Sequence, residues 1–194
     1  MKNILIMGIG RAGKTTLSNM IKRKYNQYNL VHSDSIKWGI IRAKGKEDYY
    51  RENITEQKEW EHGEFLQRTI LEFFNSCIRN DDDNFGYIVE SGQLSPKLVK
   101  EMVDFDNTIV VCLGHGNSSN QDIFDLCRNN DKPEDWSYDN SDEDLMNHVN
   151  KWHETNEIAK RDCPKYGINY IDTSKDRLKS LNKILEDISE QIEK

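Results

Sequence analysis

The sequence predicts an α/β fold in which helices cover both faces of a five-stranded parallel sheet. Short apolar segments alternate with amphipathic segments along the 194 residues. Strands that alternate with helices join by right-handed crossovers and pair in parallel. The segment NTIVVCLG at 107–114 is apolar almost throughout, which is typical of a strand buried on both faces. A chain of this length is expected to form one main core, so we predict a single domain, 1–194.

The N-terminal half contributes two strands and two helices to this prediction. The strand KNILIMG at 2–8 leads into a glycine-rich loop and then into a helix whose apolar residues recur at helical spacing. NLVHS at 29–33 indicates the second strand, and Asp34 follows it at the edge where open α/β sheets bind ligands. From about Gln57 to Ile78, pairs of apolar residues repeat every four positions, which predicts a long amphipathic helix.

The C-terminal half supplies the other three strands. FGYIVE at 85–90 indicates the third strand and places Glu90 at its end, and Ser95 and Pro96 predict the N-cap and first residue of a short helix. After the fourth strand at 107–114, GINYIDTS at 167–174 supplies the fifth. A final helix carries apolar residues along one side: Leu178, Leu181, Leu185, Ile188 and Ile192.

Two segments are longer than a minimal crossover requires. The first is a helical insertion at about 37–64, and the second is a lid at about 114–144. We expect both to be mobile flaps over a site. Residues 129–144 in the lid carry seven acidic side chains against one lysine. A simpler interpretation also stands, in which these acids form a solvated loop whose end, SDED at 141–144, caps the next helix.

Composition narrows the function classes. Charged residues make up 31% and hydrophobic residues 36% of the chain, a balance typical of soluble globular proteins. The net charge of −7 makes nucleic acid an unfavourable partner, and no apolar run is long enough to span a membrane. The four cysteines are scattered without a CxxC pair, so we expect reduced, buried thiols and a cytoplasmic location. Their positions are Cys77, Cys112, Cys127 and Cys163.

The stretch GIGRAGKTT at 8–16 fits two phosphate-binding fingerprints. Gly8, Gly10 and Gly13 match GxGxxG, which binds the pyrophosphate of a dinucleotide, and Asp34 follows at about twenty residues, where such a site has a ribose-binding acid. The same stretch matches GxxxxGKT, the P-loop or Walker A motif of nucleoside triphosphate sites.

The P-loop interpretation explains more residues. Glycines let the backbone N–H groups turn toward phosphates, Lys14 places a cation on the β and γ oxygens, and Thr15 offers a hydroxyl to Mg²⁺. In a dinucleotide site Lys14 and Thr15 would have no task. We therefore predict an ATP site, with Gly10 as a permissive loop position and Arg11 exposed rather than catalytic. The predicted nucleotide-binding residues are Gly8, Gly10, Arg11, Ala12, Gly13, Lys14, Thr15 and Thr16.

In these motifs the chain resembles the adenylate-kinase-like P-loop kinases. The resemblance rests on five stretches in order: GIGRAGKTTL, VHSDSIKWG, YIVESGQLSP, TIVVCLG and YIDTS. It implies a P-loop NTPase fold with a lid, ATP and Mg²⁺ as cofactors, and phosphoryl transfer to a small-molecule hydroxyl. In such enzymes transfer depends mostly on positioning and charge neutralisation.

The resemblance also implies roles for single residues. Lys14 becomes a catalytic cation, and Asp34 becomes the base or the group that holds the acceptor hydroxyl. Glu90 is expected near the metal, with Thr15, or near the acceptor. Arg128 sits where lid arginines begin, so it is the third catalytic candidate. Further candidate substrate contacts are Lys37, Arg42 and Arg68. The structural alternatives are a helix N-cap for Asp34, a solvated strand end for Glu90 and a surface position for Arg128.

Departures from the family pattern point to an uncharged acceptor. Kinases of nucleoside monophosphates hold the acceptor's phosphate with arginines, yet ESGQLSPK at 90–97 contains none, and the predicted lid is acidic. We therefore expect a nucleoside or sugar as acceptor, and a monomer or homodimer. The alternatives are a nucleoside monophosphate kinase, a regulatory NTP-binding or NTP-hydrolysing switch, and an enzyme that acts on a macromolecule.

Overall fold

Five parallel strands form one sheet in the computed structural model, which describes residues 1–45, 59–80, 85–135 and 137–193. The strand order is β2-β3-β1-β4-β5, and every neighbouring pair is parallel, which confirms the predicted sheet. The strands are β1 Asn3–Gly8, β2 Tyr28–His32, β3 Gly86–Ser91, β4 Thr108–Gly114 and β5 Asn169–Asp172.

Helices pack around the sheet in two groups. In the described residues they are α1 Lys14–Lys24, α2 Ser33–Lys44, α3 Glu59–Asn80, α4 Pro96–Met102, α5 Asn120–Asn130, α6 Asp142–Asp162 and α7 Arg177–Ile192, with a short 3₁₀ helix at Pro164–Tyr166. α1 contacts α7, whereas α4 contacts both α3 and α6. All six residues of the central strand β1 are buried, because helices cover both of its faces.

The predicted insertion and lid have partly different forms in the structure. α2 already begins at Ser33, so residues 37–44 continue a helix, and residues 46–58 lie outside the described part. The lid region consists of α5, the non-helical residues 131–135 and 137–141 (the lid loop) and the start of α6. α5 and α6 share a small apolar cluster of their own, formed by Ile123, Cys127, Leu145 and Val149. The lid region is therefore a packed helix pair joined by a loop.

The helix caps predicted at Ser95 and Ser141 are present, whereas the N-cap of α2 is His32, so the interpretation of Asp34 as an N-cap is wrong. The Ser95 hydroxyl accepts from the backbone N–H of Leu98, with Pro96 as the first helical residue. The Ser141 hydroxyl accepts from the Asp144 N–H at 3.1 Å, and the Asp144 carboxylate accepts from that hydroxyl at 2.7 Å. Such caps satisfy backbone donors that the first helical turn leaves unpaired.

The prediction that all four cysteines are buried holds for three of them. Cys112, Cys127 and Cys163 are buried free thiols, whereas Cys77 is only half-buried, so the prediction of burial is wrong for Cys77.

None of the helices in the described ranges combines the length and the apolar character needed to cross a membrane.

Candidate active site

The loop between β1 and α1 begins at a position that only glycine can occupy. Gly8 has φ +138°, a conformation that L side chains rarely adopt. A Cβ at Gly8 would lie 2.1 Å from the carbonyl oxygen of Leu113 on β4, so the position has no room for a side chain. The sheet therefore fixes the start of the loop.

Lys14 is the first residue of α1 and lines the cleft beside this loop. Its Nζ donates to the backbone carbonyl of Ile9 at 2.7 Å, which holds the ammonium group against the loop. Burial lowers the pKa of Lys14 from its usual value, and the carboxylates of Glu90 and Asp34 oppose that shift. The Lys14 ammonium therefore lies within electrostatic reach of both acids.

An open cleft of about 830 Å³ lies above the carboxyl ends of the strands. We call the lining residues of the loop at 9–16 the P-loop wall, and those of α2 and of the segment 90–93 the α2 wall. Asp135, Asn140, residues of α6 and Arg177 complete the lining. The lining residues are Ile9, Gly10, Arg11, Gly13, Lys14, Thr15, Thr16, Ser33, Asp34, Lys37, Trp38, Glu90, Gly92, Gln93, Asp135, Asn140, His148, Trp152, Thr155 and Arg177.

The α2 wall carries the acidic candidates. Asp34 is the second residue of α2, and its Oδ1 accepts from Nε2 of Gln93 at 2.8 Å. Glu90 is buried at the end of β3, and its Oε1 lies 2.9 Å from Nδ1 of His32. Lys37 lies 5.6 Å from the ring centroid of Trp38, and both residues line the cleft. This wall therefore presents acids, amides and an aromatic ring.

The structure brings nine of the predicted site residues together in the cleft: Gly10, Arg11, Gly13, Lys14, Thr15, Thr16, Asp34, Lys37 and Glu90. Gly8 and Ala12 belong to the loop but do not line the cleft. Arg42 is exposed on α2, and Arg68 pairs with Glu64 and Glu101 on the surface. These two arginines therefore lie away from the cleft.

Arg128 shapes the lid loop and does not line the cleft. Its Nε and Nη2 donate to Oδ1 of Asp142 at 3.0 and 2.7 Å. Its Nη2 also donates to the carbonyl of Asn140 at 2.7 Å. In this conformation Arg128 joins the end of α5 to the start of α6.

Arg11 is the arginine that links the P-loop to the lid loop. Its Nη2 donates to Oδ1 of Asp131 and to Oγ of Ser137, and its Nη1 lies 3.6 Å from Oδ1 of Asp135. The side chain of Arg11 is 23% exposed and that of Asp131 is 3% exposed. The prediction of an exposed Arg11 is therefore wrong, and the interpretation of a merely solvated acidic loop is wrong for Asp131. Both errors have one cause, a contact between residues 120 positions apart.

The backbone at Arg11 gives a prediction on stability. Arg11 has φ +62°, a left-handed conformation that costs about 1–2 kcal/mol for residues other than glycine. Arg11→Ala and Arg11→Gly both leave the buried Asp131 without its cation, which we expect to cost about 3 kcal/mol of unfolding free energy. Arg11→Gly should retain about 1 kcal/mol more stability than Arg11→Ala because it removes the backbone strain.

Urea unfolding measures both effects, and Arg23→Ala, at an exposed position on α1, is the control with a change within about 0.5 kcal/mol. Equal stability of the alanine and glycine variants would show that Arg11 is not strained.

Position 10 must be glycine because an indole ring packs against it. A Cβ at Gly10 would lie 2.4 Å from Cε2 and 2.7 Å from Nε1 of Trp152 on α6. Atoms cannot approach that closely, so the interpretation of Gly10 as merely permissive is wrong. Trp152 also packs against both the main core and the α5–α6 cluster.

We expect Gly10→Ala to lower the unfolding free energy by about 1–3 kcal/mol, because the added methyl group overpacks a rigid contact. Gly39→Ala is the matched control, since nothing lies within 4 Å of its Cβ position on α2. Alanine there should stabilise the helix by up to about 1 kcal/mol. Urea titrations compare the two variants, and Trp152→Phe should relieve part of the Gly10→Ala loss. A Gly10→Ala protein as stable as the wild type would contradict the contact.

His115 is hydrogen-bonded to the backbone of the P-loop. Its ring is 1% exposed, and Nε2 lies 2.7 Å from the carbonyl of Gly10. A carbonyl can only accept, so Nε2 carries the proton. The backbone N–H of His115 donates to Oδ1 of Asn156 at 2.9 Å. Burial lowers the pKa of His115, although the bond to Gly10 opposes the shift.

The lowered pKa of His115 predicts a loss of stability in mild acid. The unfolded chain takes up this proton near its ordinary pKa of about 6.5, whereas the folded state takes it up only at lower pH. Unfolding is therefore favoured progressively as pH falls from about 7 to 5, by at most about 1.4 kcal/mol per pH unit. Urea midpoints at several pH values should show a smaller slope for His115→Gln than for wild type. Identical slopes would rule out this contribution.

Arg177 is a cation of the cleft that the sequence analysis missed. It is the first residue of α7, and its Cδ lies 3.5 Å from the Cβ position of Gly13. Its Nε is buried, and no hydrogen-bond partner for that atom exists among the described residues. Burial and then the charge of Arg11 lower the pKa of Arg177. The sequence signal that could have identified Arg177 is its position as a basic residue shortly after the carboxyl end of a strand.

Comparison with known proteins identifies the fold. No model of a known protein family matches the sequence, and no curated protein matches it. A shikimate kinase from Bacteroides thetaiotaomicron shares the fold with a TM-score of 0.52 and 16% identity, over 100% of this chain and 99% of that one. A gluconokinase from Sinorhizobium meliloti 1021 does so with a TM-score of 0.51 and 14% identity, over 98% and 97%. The chain thus shares the fold of these two solved structures, with the five-stranded parallel sheet that its sequence predicted.

Proposed function

We propose that this protein is an ATP-dependent phosphotransferase that moves the γ-phosphoryl group to a hydroxyl of an uncharged small molecule, a sugar or a nucleoside. The observation that carries the proposal is one cleft that Lys14 and Asp34 both line, with the two side chains close enough for the Asp34 carboxylate to affect the pKa of Lys14. A triphosphate on the loop and a hydroxyl at the acid would then meet in the cleft. The shikimate kinase and gluconokinase that share the fold are named for small hydroxy acids, which supports a small-molecule hydroxyl as the acceptor. Support for the absence of charge on the acceptor comes from the α2 wall alone.

The P-loop wall and Arg177 supply the cations that phosphoryl transfer needs. The Lys14 ammonium exchanges the carbonyl of Ile9 for phosphate oxygens. Arg177 has a buried donor without a described partner, so we assign it a second phosphate contact in place of Arg128. Thr15 and Glu90 offer the hydroxyl and carboxylate oxygens that Mg²⁺ prefers. The ion, when bound with ATP, neutralises charge on the β and γ phosphates.

The α2 wall supplies the acceptor chemistry. Asp34 accepts the proton of the acceptor hydroxyl, and that oxygen forms the new bond to the γ phosphorus. The bond from the γ phosphorus to the β–γ bridging oxygen breaks, and ADP leaves with the electron pair. Lys14 stabilises the charge that develops on the leaving oxygens.

The charge of the α2 wall favours a neutral acceptor. Among the described lining residues of this wall, Lys37 is the sole cation, and the predicted contacts Arg42 and Arg68 lie elsewhere. A phosphate dianion is held best by bidentate arginines, which this wall lacks in its described part. Trp38 is 41% exposed and offers a flat apolar face against which a sugar or nucleoside ring can pack.

An acceptor screen tests the proposal. Purified protein with ATP and Mg²⁺ is incubated with neutral sugars, nucleosides and nucleoside monophosphates, and ADP release and phosphorylated product are measured together. We expect release that depends on a neutral acceptor. Phosphorylation of monophosphates alone would show a monophosphate kinase, and ADP release without a phosphorylated product would show a hydrolysing switch. The Lys14→Ala protein controls for contaminating kinases. Such an enzyme would act in the cytoplasm, as a monomer or homodimer.

A further inference from the structure

Gln93 is the centre of a hydrogen-bond network that joins the two strand ends on the α2 wall. Its Nε2 donates to Oδ1 of Asp34 at 2.8 Å. Its Oε1 accepts from the hydroxyls of Ser33 at 2.7 Å and Ser91 at 3.1 Å. Its backbone N–H also donates to Oγ of Ser91 at 3.1 Å. Every polar atom of the carboxamide therefore has a partner.

These partners fix the orientation of the carboxamide. The Asp34 carboxylate only accepts, so the nitrogen of Gln93 must face it and the oxygen must face the two hydroxyls. Ser33 and Ser91 are 2% and 1% exposed, so water does not compete for their hydroxyls. A rotation of the amide would place two acceptors together, and the network therefore has one arrangement.

The network is anchored to the sheet. β2 and β3 are neighbours, with His32 opposite Glu90 in register. Ser33 follows β2 and Ser91 ends β3, so the oxygen of Gln93 is held by both strand ends. The nitrogen then holds one oxygen of Asp34. Within the described residues Oδ2 of Asp34 has no hydrogen-bond partner, which leaves it for a ligand.

We propose that Gln93 is a positioning residue: its carboxamide holds Oδ1 of Asp34 and reserves Oδ2 for the acceptor hydroxyl. The proposal rests on the proposed function. An amide donor orients the carboxylate without adding a positive charge, so the acid keeps its negative charge for the incoming proton. A carboxylate without this donor would rotate freely, and misplacement of a catalytic group by about 1 Å can cost about a hundredfold in rate.

The test compares Gln93→Met, Asp34→Asn and the double variant with wild type. Methionine keeps the length of the side chain and removes both polar atoms. We expect Gln93→Met to lower kcat about 10–100-fold while the ATP dissociation constant stays within about twofold. In the Asp34→Asn background the same change should cost less than about twofold, because the carboxylate it positions is gone.

The chain provides a matched control. Gln121 on α5 donates its Nε2 to Oδ1 of Asp125 at 2.8 Å, the same kind of bond on an exposed surface away from the cleft. Gln121→Met should leave kcat unchanged. Gln93→Asn keeps the amide but is one methylene too short to span the network, so it should reproduce the loss if Gln93→Met folds poorly. Urea unfolding monitors folding of each variant.

Three outcomes would overturn the proposal: a Gln93→Met protein with wild-type kcat, losses that multiply fully with Asp34→Asn, or a parallel loss of ATP affinity. Failure of the proposed function has a different signature, since wild type would then phosphorylate no acceptor. In that case ATP hydrolysis with water as acceptor is measured on the same variants. Slower ATP hydrolysis by Gln93→Met than by wild type, with little further loss in the Asp34→Asn background, would support the positioning role. Equal hydrolysis rates in wild type and Gln93→Met would overturn it.

Discussion

Lys14→Ala is expected to reduce phosphoryl transfer by about a thousandfold, because it removes the cation of the cleft that we propose as the contact of the phosphates. The same substitution is not expected to lower the unfolding free energy. Burial lowers the pKa of Lys14, which means that the fold desolvates this charge at a cost. Replacement by an uncharged residue should therefore leave the unfolding free energy unchanged or raise it.

Lys14→Met separates the charge from the packing, since methionine keeps most of the stem. We expect Lys14→Met to match Lys14→Ala in lost activity and to exceed it in stability. Steady-state ADP release with a competent acceptor and urea unfolding are the two measurements. Lys183→Ala, at an exposed position on α7, is the control. Retained transfer in both Lys14 variants would remove the central assignment of the site.

Asp34→Asn is expected to lower kcat by about 10²–10⁴-fold with little change in ATP affinity, because asparagine cannot accept the acceptor's proton. The substitution is nearly isosteric, and the asparagine oxygen can still accept from Gln93, so the local structure should persist. Kinetics with a neutral acceptor and equilibrium titration with ATP measure the two effects.

The exposed Asp187 on α7 provides the matched control, and Asp187→Asn should leave both quantities unchanged. An equal loss of ATP affinity and kcat in Asp34→Asn would assign Asp34 to the metal or to folding. No loss of kcat would leave it with the structural role of a residue in the first turn of α2.

The centre of the sheet could be predicted because β1 and β4 are almost wholly buried and so consist of apolar runs. The edge strands β2 and β5 are only partly buried, and their positions were indicated by shorter apolar segments. The start of α2 could not be placed, because its first residues Ser33 and Asp34 are polar and the apolar periodicity begins later. The P-loop was recognisable because its spacing is set by local backbone geometry.

The contacts that complete the site lie outside the reach of local patterns. Trp152 at Gly10 and Asp131 at Arg11 come from elements far along the chain, and their approach depends on how α5 and α6 pack. Arg128 had the sequence position of a catalytic arginine, yet its guanidinium holds the loop that follows it. The catalytic roles of Lys14 and Asp34 stay predictions, which the variants above test. The role of Glu90 near the metal or the acceptor also stays a prediction.

If the P-loop binds a nucleotide as proposed, the contact of Trp152 with Gly10 links that binding thermodynamically to the opening of α5 and α6. The indole touches the P-loop and packs against both apolar clusters, so the helix pair cannot separate from the sheet without uncovering the loop. A ligand that binds only the intact loop must therefore raise the opening free energy of the pair, by reciprocity. The rate of amide hydrogen exchange in α5 and α6 therefore reports ligand binding to the loop, even when the acceptor is not known.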